Sequence, residues 1–135
     1  MAELFDLEII TPEKIVFKGQ ISSVTCPGAD GRFQILRNHA PFISALNIGP
    51  LWFIDEEGSR RLFAVSGGAS HVLKNKVLIL ADTAESKEEI DLARAESAKN
   101  RADERIRSKA ADMDVDRAKL ALLRALNRLK TANKL

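Results

Sequence analysis

The residues best suited to chemistry are arginines and carboxylates that lie beyond residue 84. Asp91 and Arg94, three apart, share one face of a helical segment, and Arg101 falls two turns further along it. Arg124 and Arg128, four apart, share a face of a second segment, so that in a hairpin they can point at the same spot. Guanidinium forks match phosphate oxygens bidentately, and Glu85, just ahead of the first helix, can accept from a base or a ribose. Forks placed this way suit phosphate or another anion. The plainer reading is an Asp91–Arg94 surface pair contributing under ~1 kcal/mol, beside a solvated basic face.

Catalysis finds little else to use. Cys26 is the single cysteine, stands at an expected strand end with nothing to activate it, and cannot form an internal disulfide. With two histidines it makes a poor metal set. The carboxylates show no general acid/base spacing, and a glycine-rich phosphate loop of the Walker type is absent. A small enzyme built on Cys26 or His39 is one rival reading. A β-module whose basic helix docks nucleic acid is another, with binding expected to fall as salt rises.

The formal charge of +2 is unevenly placed. Residues 1–84 carry 8 basic and 9 acidic side chains, residues 85–135 carry 13 and 10, and from Arg117 onward there are six basic residues and no acidic one. An acidic partner or phosphate groups suit that tail. No apolar run approaches the ~20 residues that span a bilayer, and no basic flank with an apolar run marks a signal peptide. A soluble, reducing compartment is expected.

The stretch from Leu80 to Ser86 divides the chain in kind. All seven glycines, all four prolines and all seven aromatic residues precede it. Before it, Phe5 to Ile9 alternates apolar and acidic residues with the period of a half-buried strand. Short apolar runs follow, punctuated by Gly19, Pro27-Gly28-Ala29-Asp30-Gly31, Gly49-Pro50, Asp55 to Gly58, Ser66-Gly67-Gly68 and Lys74-Asn75-Lys76. About ten short strands in an antiparallel β-sandwich are expected over residues 1–85.

Residues 86–135 read as an antiparallel two-helix hairpin, giving an α+β, mainly β, chain. Ser86-Lys87-Glu88-Glu89 has capping-box spacing, which predicts a helix from there to about Lys109. Its stripe is Ile90, Ala93, Ser97, Ala98 and Ala102. Asp112-Met113-Asp114 predicts the turn, with possible N-cap aspartates. The second helix carries Val115, Ala118, Leu122, Leu126 and Leu129 as its apolar stripe, with Leu120 and Leu123 beside it. Burying a leucine contributes roughly 1.5–3 kcal/mol against about 1–2 kcal/mol per ordered residue. A hairpin this small therefore needs the sandwich, a ligand or another chain.

Six pieces in register resemble the epsilon subunit family of F-type ATP synthases. They are Thr11-Pro12, Pro27 to Phe33, Asn38-His39-Ala40-Pro41, Ser66-Gly67-Gly68, Leu80 to Ala84, and Ile90-Asp91-Leu92-Ala93-Arg94-Ala95. The resemblance covers essentially the whole chain. It implies a non-catalytic rotor subunit in the central stalk, with a sandwich that grips the gamma subunit and rests on the membrane c-ring through Arg32, Asn38 and His39. It implies a hairpin that folds onto the sandwich or extends toward the beta and alpha subunits, with Arg117, Arg124 and Arg128 as contacts to beta and with ATP hydrolysis inhibited in the extended form.

By the same resemblance, Glu85, Asp91, Arg94, Arg101, Arg124 and Arg128 match positions that hold ATP as a regulatory ligand. No required cofactor, no metal and no nucleic-acid partner is implied. Contact with the membrane would come only through the complex, at the cytoplasmic face of the bacterial plasma membrane. Two departures stand out: Gln34 where glycine is frequent and Arg37 where proline is frequent. Arg32 also replaces a position that is often acidic or polar.

Overall fold

The computed structural model describes residues 3–108 and 115–133. Seven strands are found among them: β1 (Phe5–Ile10), β2 (Ile15–Gly28), β3 (Gly31–Ile35), β4 (Phe42–Asp55), β5 (Arg60–Leu73), β6 (Lys76–Ala81) and β7 (Ala84–Ser86). A 3-10 turn at Lys87–Glu89 leads to α1 (Leu92–Ser108) and then α2 (Val115–Ala132). The order is a β-sandwich followed by a helical hairpin. The turn expected at 112–114 and the basic residue Lys134 lie outside the described residues.

The strands are fewer and longer than the punctuation suggests, because several glycine breaks are bends rather than ends. β2, β4 and β5 each run 14 residues. Gly19 sits inside β2, Gly49-Pro50 inside β4 and Gly67-Gly68 inside β5. Proline has no N–H to give a sheet. Pro50 is accommodated because β4 pairs with β2 at Trp52 and again at Leu46, with an irregularity between. Gly68 has φ 125°, and a Cβ there would overlap the Leu80 carbonyl oxygen. Glycine is what lets β5 cross β6 so closely.

The strand order is β1-β6-β5-β4-β2-β3, and β1 also pairs with β2, which closes the sheet on itself. Bent strands shared between the layers make a flattened, barrel-like sandwich. One pairing departs from the antiparallel expectation: β1 and β6 run parallel, from Asp6 beside Lys76 to Ile10 beside Leu80. The core is the inward half of each alternating strand, including Leu7, Ile9, Ile21, Leu51, Phe53, Val65 and Ile79, each at most 1% exposed.

The helices differ from expectation in which residues they bury. On α1 the buried positions are Ala95 and Ala102, with Ala98 and Ile106 half-buried and Ala93 and Ser97 exposed. On α2, Ala118 and Ala125 are buried and Leu122 and Leu129 half-buried, and these four share a face seven and four apart. Alanine against alanine lets the two helices approach closely. Leu126, read as part of the stripe, is 40% exposed, and Leu120 and Leu123 are 45% and 51% exposed.

Candidate functional site

The hairpin lies against the outside of the sandwich along one face of α2, and the contact carries a row of polar side chains. The Asn127 side-chain amide donates to the Gly49 and Val65 carbonyls, 3.1 Å each. Those two residues face each other across the β4–β5 pairing. One turn on, the buried Thr131 hydroxyl donates to Asn127 Oδ1 at 3.4 Å. One turn back, Arg124 Nε donates to Ser66 Oγ at 3.0 Å. Arg128 Nε meets Glu85 Oε1 at 3.0 Å, with both side chains part-exposed.

Beside this seam is an open cleft of about 390 Å³, whose lining includes Lys14, Asp82, Glu85, Glu89, Arg124 and Arg128. Three of the six nucleotide candidates therefore meet: Glu85 from β7, and Arg124 and Arg128 from α2. The other three do not line the cleft in this arrangement. Asp91 is the N-cap of α1, its Oδ1 accepting the Arg94 backbone N–H at 3.1 Å. Arg94 and Arg101 are exposed on α1. The Asp91–Arg94 link is thus a backbone cap, rather than the side-chain pair that spacing suggests.

The capping box is also realised differently. Ser86 Oγ donates to the Glu89 carboxylate at 2.8 Å, and no side chain caps the backbone there. Ser86 is still in β7, pairing with Phe63, so the chain is extended where the box would begin a helix. The α-helix starts at Leu92, where Asp91 supplies the cap instead.

Arg32, Asn38 and His39 each have an internal partner. The Arg32 guanidinium lies over the Trp52 ring, 4.8 Å from its centroid, and that of Arg60 lies 4.7 Å from the same centroid. Asn38, at φ 66°, forms a reciprocal link with Asn75: its N–H donates to Asn75 Oδ1 at 2.6 Å, and Asn75 Nδ2 donates to Asn38 Oδ1 at 3.1 Å. That link ties the β3–β4 loop to the β5–β6 turn. His39 Nδ1 is 2.7 Å from the Ala40 carbonyl, and its ring packs edge-on to Phe42. Arg37, one of the departures, donates to the Leu4 carbonyl at 2.7 Å and holds the N-terminal segment. Arg117 is exposed near the start of α2.

Sequence reasoning missed Asn127 and Thr131. Their signal was present: two polar residues four apart, next to the Arg124–Arg128 pair on one face of an otherwise leucine-rich helix. The leucine spacing drew attention to the opposite side. Cys26 is fully buried and its thiol is pushed up to about 12 by desolvation, which keeps it protonated and unreactive. No group of metal-ligating side chains is found among the described residues. No helix among them is long and apolar enough to cross a membrane.

Comparison with known proteins gives this architecture its place. A family model described as the ATP synthase delta/epsilon chain beta-sandwich domain matches residues 4–87, and the long alpha-helix domain of the same chain matches residues 88–133. The ATP synthase epsilon chain of Desulforamulus reducens is 46% identical over 132 residues, covering 98% of this chain and 99% of the relative. That of Moorella thermoacetica is 45% identical, covering 98% of each. Among solved structures, a chain of the Euglena gracilis mitochondrial ATP synthase (OSCP/F1/c-ring) has the same fold, with a TM-score of 0.85 at 22% identity over 97% of this chain and 82% of that one. On these grounds the chain belongs to the ATP synthase delta/epsilon family, as a non-catalytic subunit of that complex.

Proposed function

We propose that this chain is a central-stalk rotor subunit of a proton-translocating F-type ATP synthase, and that its hairpin moves between a docked form and an extended form that inhibits ATP hydrolysis. In the docked form ATP is a regulatory ligand. The observation that carries the reading is the composition of α2: a polar face on the sandwich and three leucines left facing water. Water can satisfy the polar groups when the face lifts away, while a partner that covers Leu120, Leu123 and Leu126, which are 40–51% exposed, would gain roughly half of the ~1.5–3 kcal/mol that full burial of an exposed leucine gives.

Glu85, Arg124 and Arg128 supply the start of a nucleotide site, in a cleft within the ~300–1,000 Å³ range of small-molecule pockets. Arg124 and Arg128 engage through Nε here, and a guanidinium has four further N–H donors suited to phosphate. Arg94 and Arg101 would complete the set by turning toward the cleft on binding. Acidic segments of the beta and alpha subunits fit the basic residues Arg117, Arg124 and Arg128 in the extended form. The sandwich would bind gamma and rest on the c-ring through Arg32, Asn38 and His39, with the subunit peripheral at the cytoplasmic face of the membrane. ATP shifts the balance only as far as its affinities for the two forms differ.

The test is the reconstituted complex with residues 87–135 deleted from this chain. Hydrolysis should rise while assembly is retained; unchanged hydrolysis would remove the inhibitory role. For the ligand, Arg124→Ala and Arg128→Ala should weaken ATP binding in calorimetry, and isotherms identical to wild type would remove the nucleotide role.

A further inference from the structure

We infer that Asn127 is the positioning residue that selects the docked form, by holding one register of α2 on the sandwich. This rests on the moving-hairpin reading above and names the group that decides where the hairpin comes to rest. An apolar seam is non-directional and tolerates sliding and repacking. A hydrogen bond weakens steeply once its angle departs from linear. Asn127 aims both hydrogens of one amide at two carbonyls on different strands, Gly49 of β4 and Val65 of β5, each at 3.1 Å. Translation or rotation of α2 breaks at least one of them.

Its surroundings fix the amide itself. Asn127 is 7% exposed and Thr131 is fully buried. The Gly49 and Val65 carbonyls can only accept, so the amide nitrogen must face the sandwich, and the Thr131 hydroxyl donates to the Oδ1 left on the other side. The flanking contacts are weaker determinants. Arg128–Glu85 is part-exposed, where ion pairs contribute little. Arg124 reaches a serine hydroxyl that can rotate to follow it. Asn127, by contrast, is both buried and bound to backbone.

The experiment uses the full chain with exposed Glu56 and Lys130 replaced by cysteine and labelled as a distance-reporting pair; buried Cys26 does not compete for label. Asn127→Asp keeps the shape but turns an oxygen toward the two carbonyls. It should raise the open-to-docked ratio about tenfold or more, since two hydrogen bonds are lost. Asn127→Ser, gentler on folding, should raise it by a smaller factor, and Thr131→Val by less again. The unfolding midpoint of the sandwich should stay at the wild-type value in all three, which separates positioning from general stability. If Asn127→Asp and Asn127→Ser both keep the wild-type distance distribution, the assignment is overturned. If the wild-type hairpin opens in the assembled complex and these variants open no further, only Asn127 is wrong. If the wild-type hairpin stays docked under every nucleotide condition, the moving-hairpin reading itself fails.

Discussion

Gly68 shows how a single residue sets the path of a strand. At φ 125° with the Leu80 carbonyl where a Cβ would go, it accepts no side chain without moving β6. Gly68→Ala should cost about 3 kcal/mol, combining backbone strain with overpacking, and the urea midpoint of the sandwich should fall accordingly. Cys26 gives a prediction in pH. Burial raises its thiol from 9.0 to about 12. A raised folded-state value means the contribution is fully present below pH 9 and is lost as pH climbs from 9 toward 12, because the unfolded chain ionises first. Unfolding free energy measured against pH should therefore fall more steeply over that window for wild type than for Cys26→Ala. Equal slopes would show that the thiol ionises as readily in the folded protein.

Among the elements, those whose signals were purely local were legible in the sequence. The alternation from Phe5 to Ile9 appears as β1 with alternating burial, and Lys74 and Asn75, both at positive φ, form the expected tight connection. Strand count was less legible. A glycine reads the same in sequence whether the chain turns back or merely bends, and only the pairing partner decides. Helix faces were misread because leucine periodicity reports what can be buried, whereas the sandwich offered carbonyls and a serine hydroxyl, and α2 gave it Asn127, Arg124 and Arg128. Of the candidate site, Arg124, Arg128 and Glu85 come together, while Asp91 serves as a cap. Asp91→Ala should cost about 1 kcal/mol of local α1 stability. Amide exchange should rise in the first turn of α1 and stay unchanged in β4 and β5. An effect spread through the strands would mean that Asp91 also supports the docking.

In the whole molecule, the two sides of α2 act in opposite directions, and that opposition can be measured. The polar seam holds the hairpin on the sandwich, so weakening it through Asn127→Ser should populate the extended form. Leu123 and Leu126 stay 51% and 40% exposed in the docked form, so Leu123→Ser with Leu126→Ser should disturb the docked form less than it weakens what the extended form gains. In the reconstituted complex the first change should lower ATP hydrolysis relative to wild type and the second should raise it. Each leucine lost from a fully buried contact is worth roughly 1.5–3 kcal/mol, so even partial burial would move the inhibited fraction several-fold. The isolated subunit with both leucines replaced should unfold within about 0.5 kcal/mol of wild type, as exposed substitutions do. Shifts of the same sign in hydrolysis from both variants would mean that the two faces do not compete, and the balance between resting places would have to be sought outside α2.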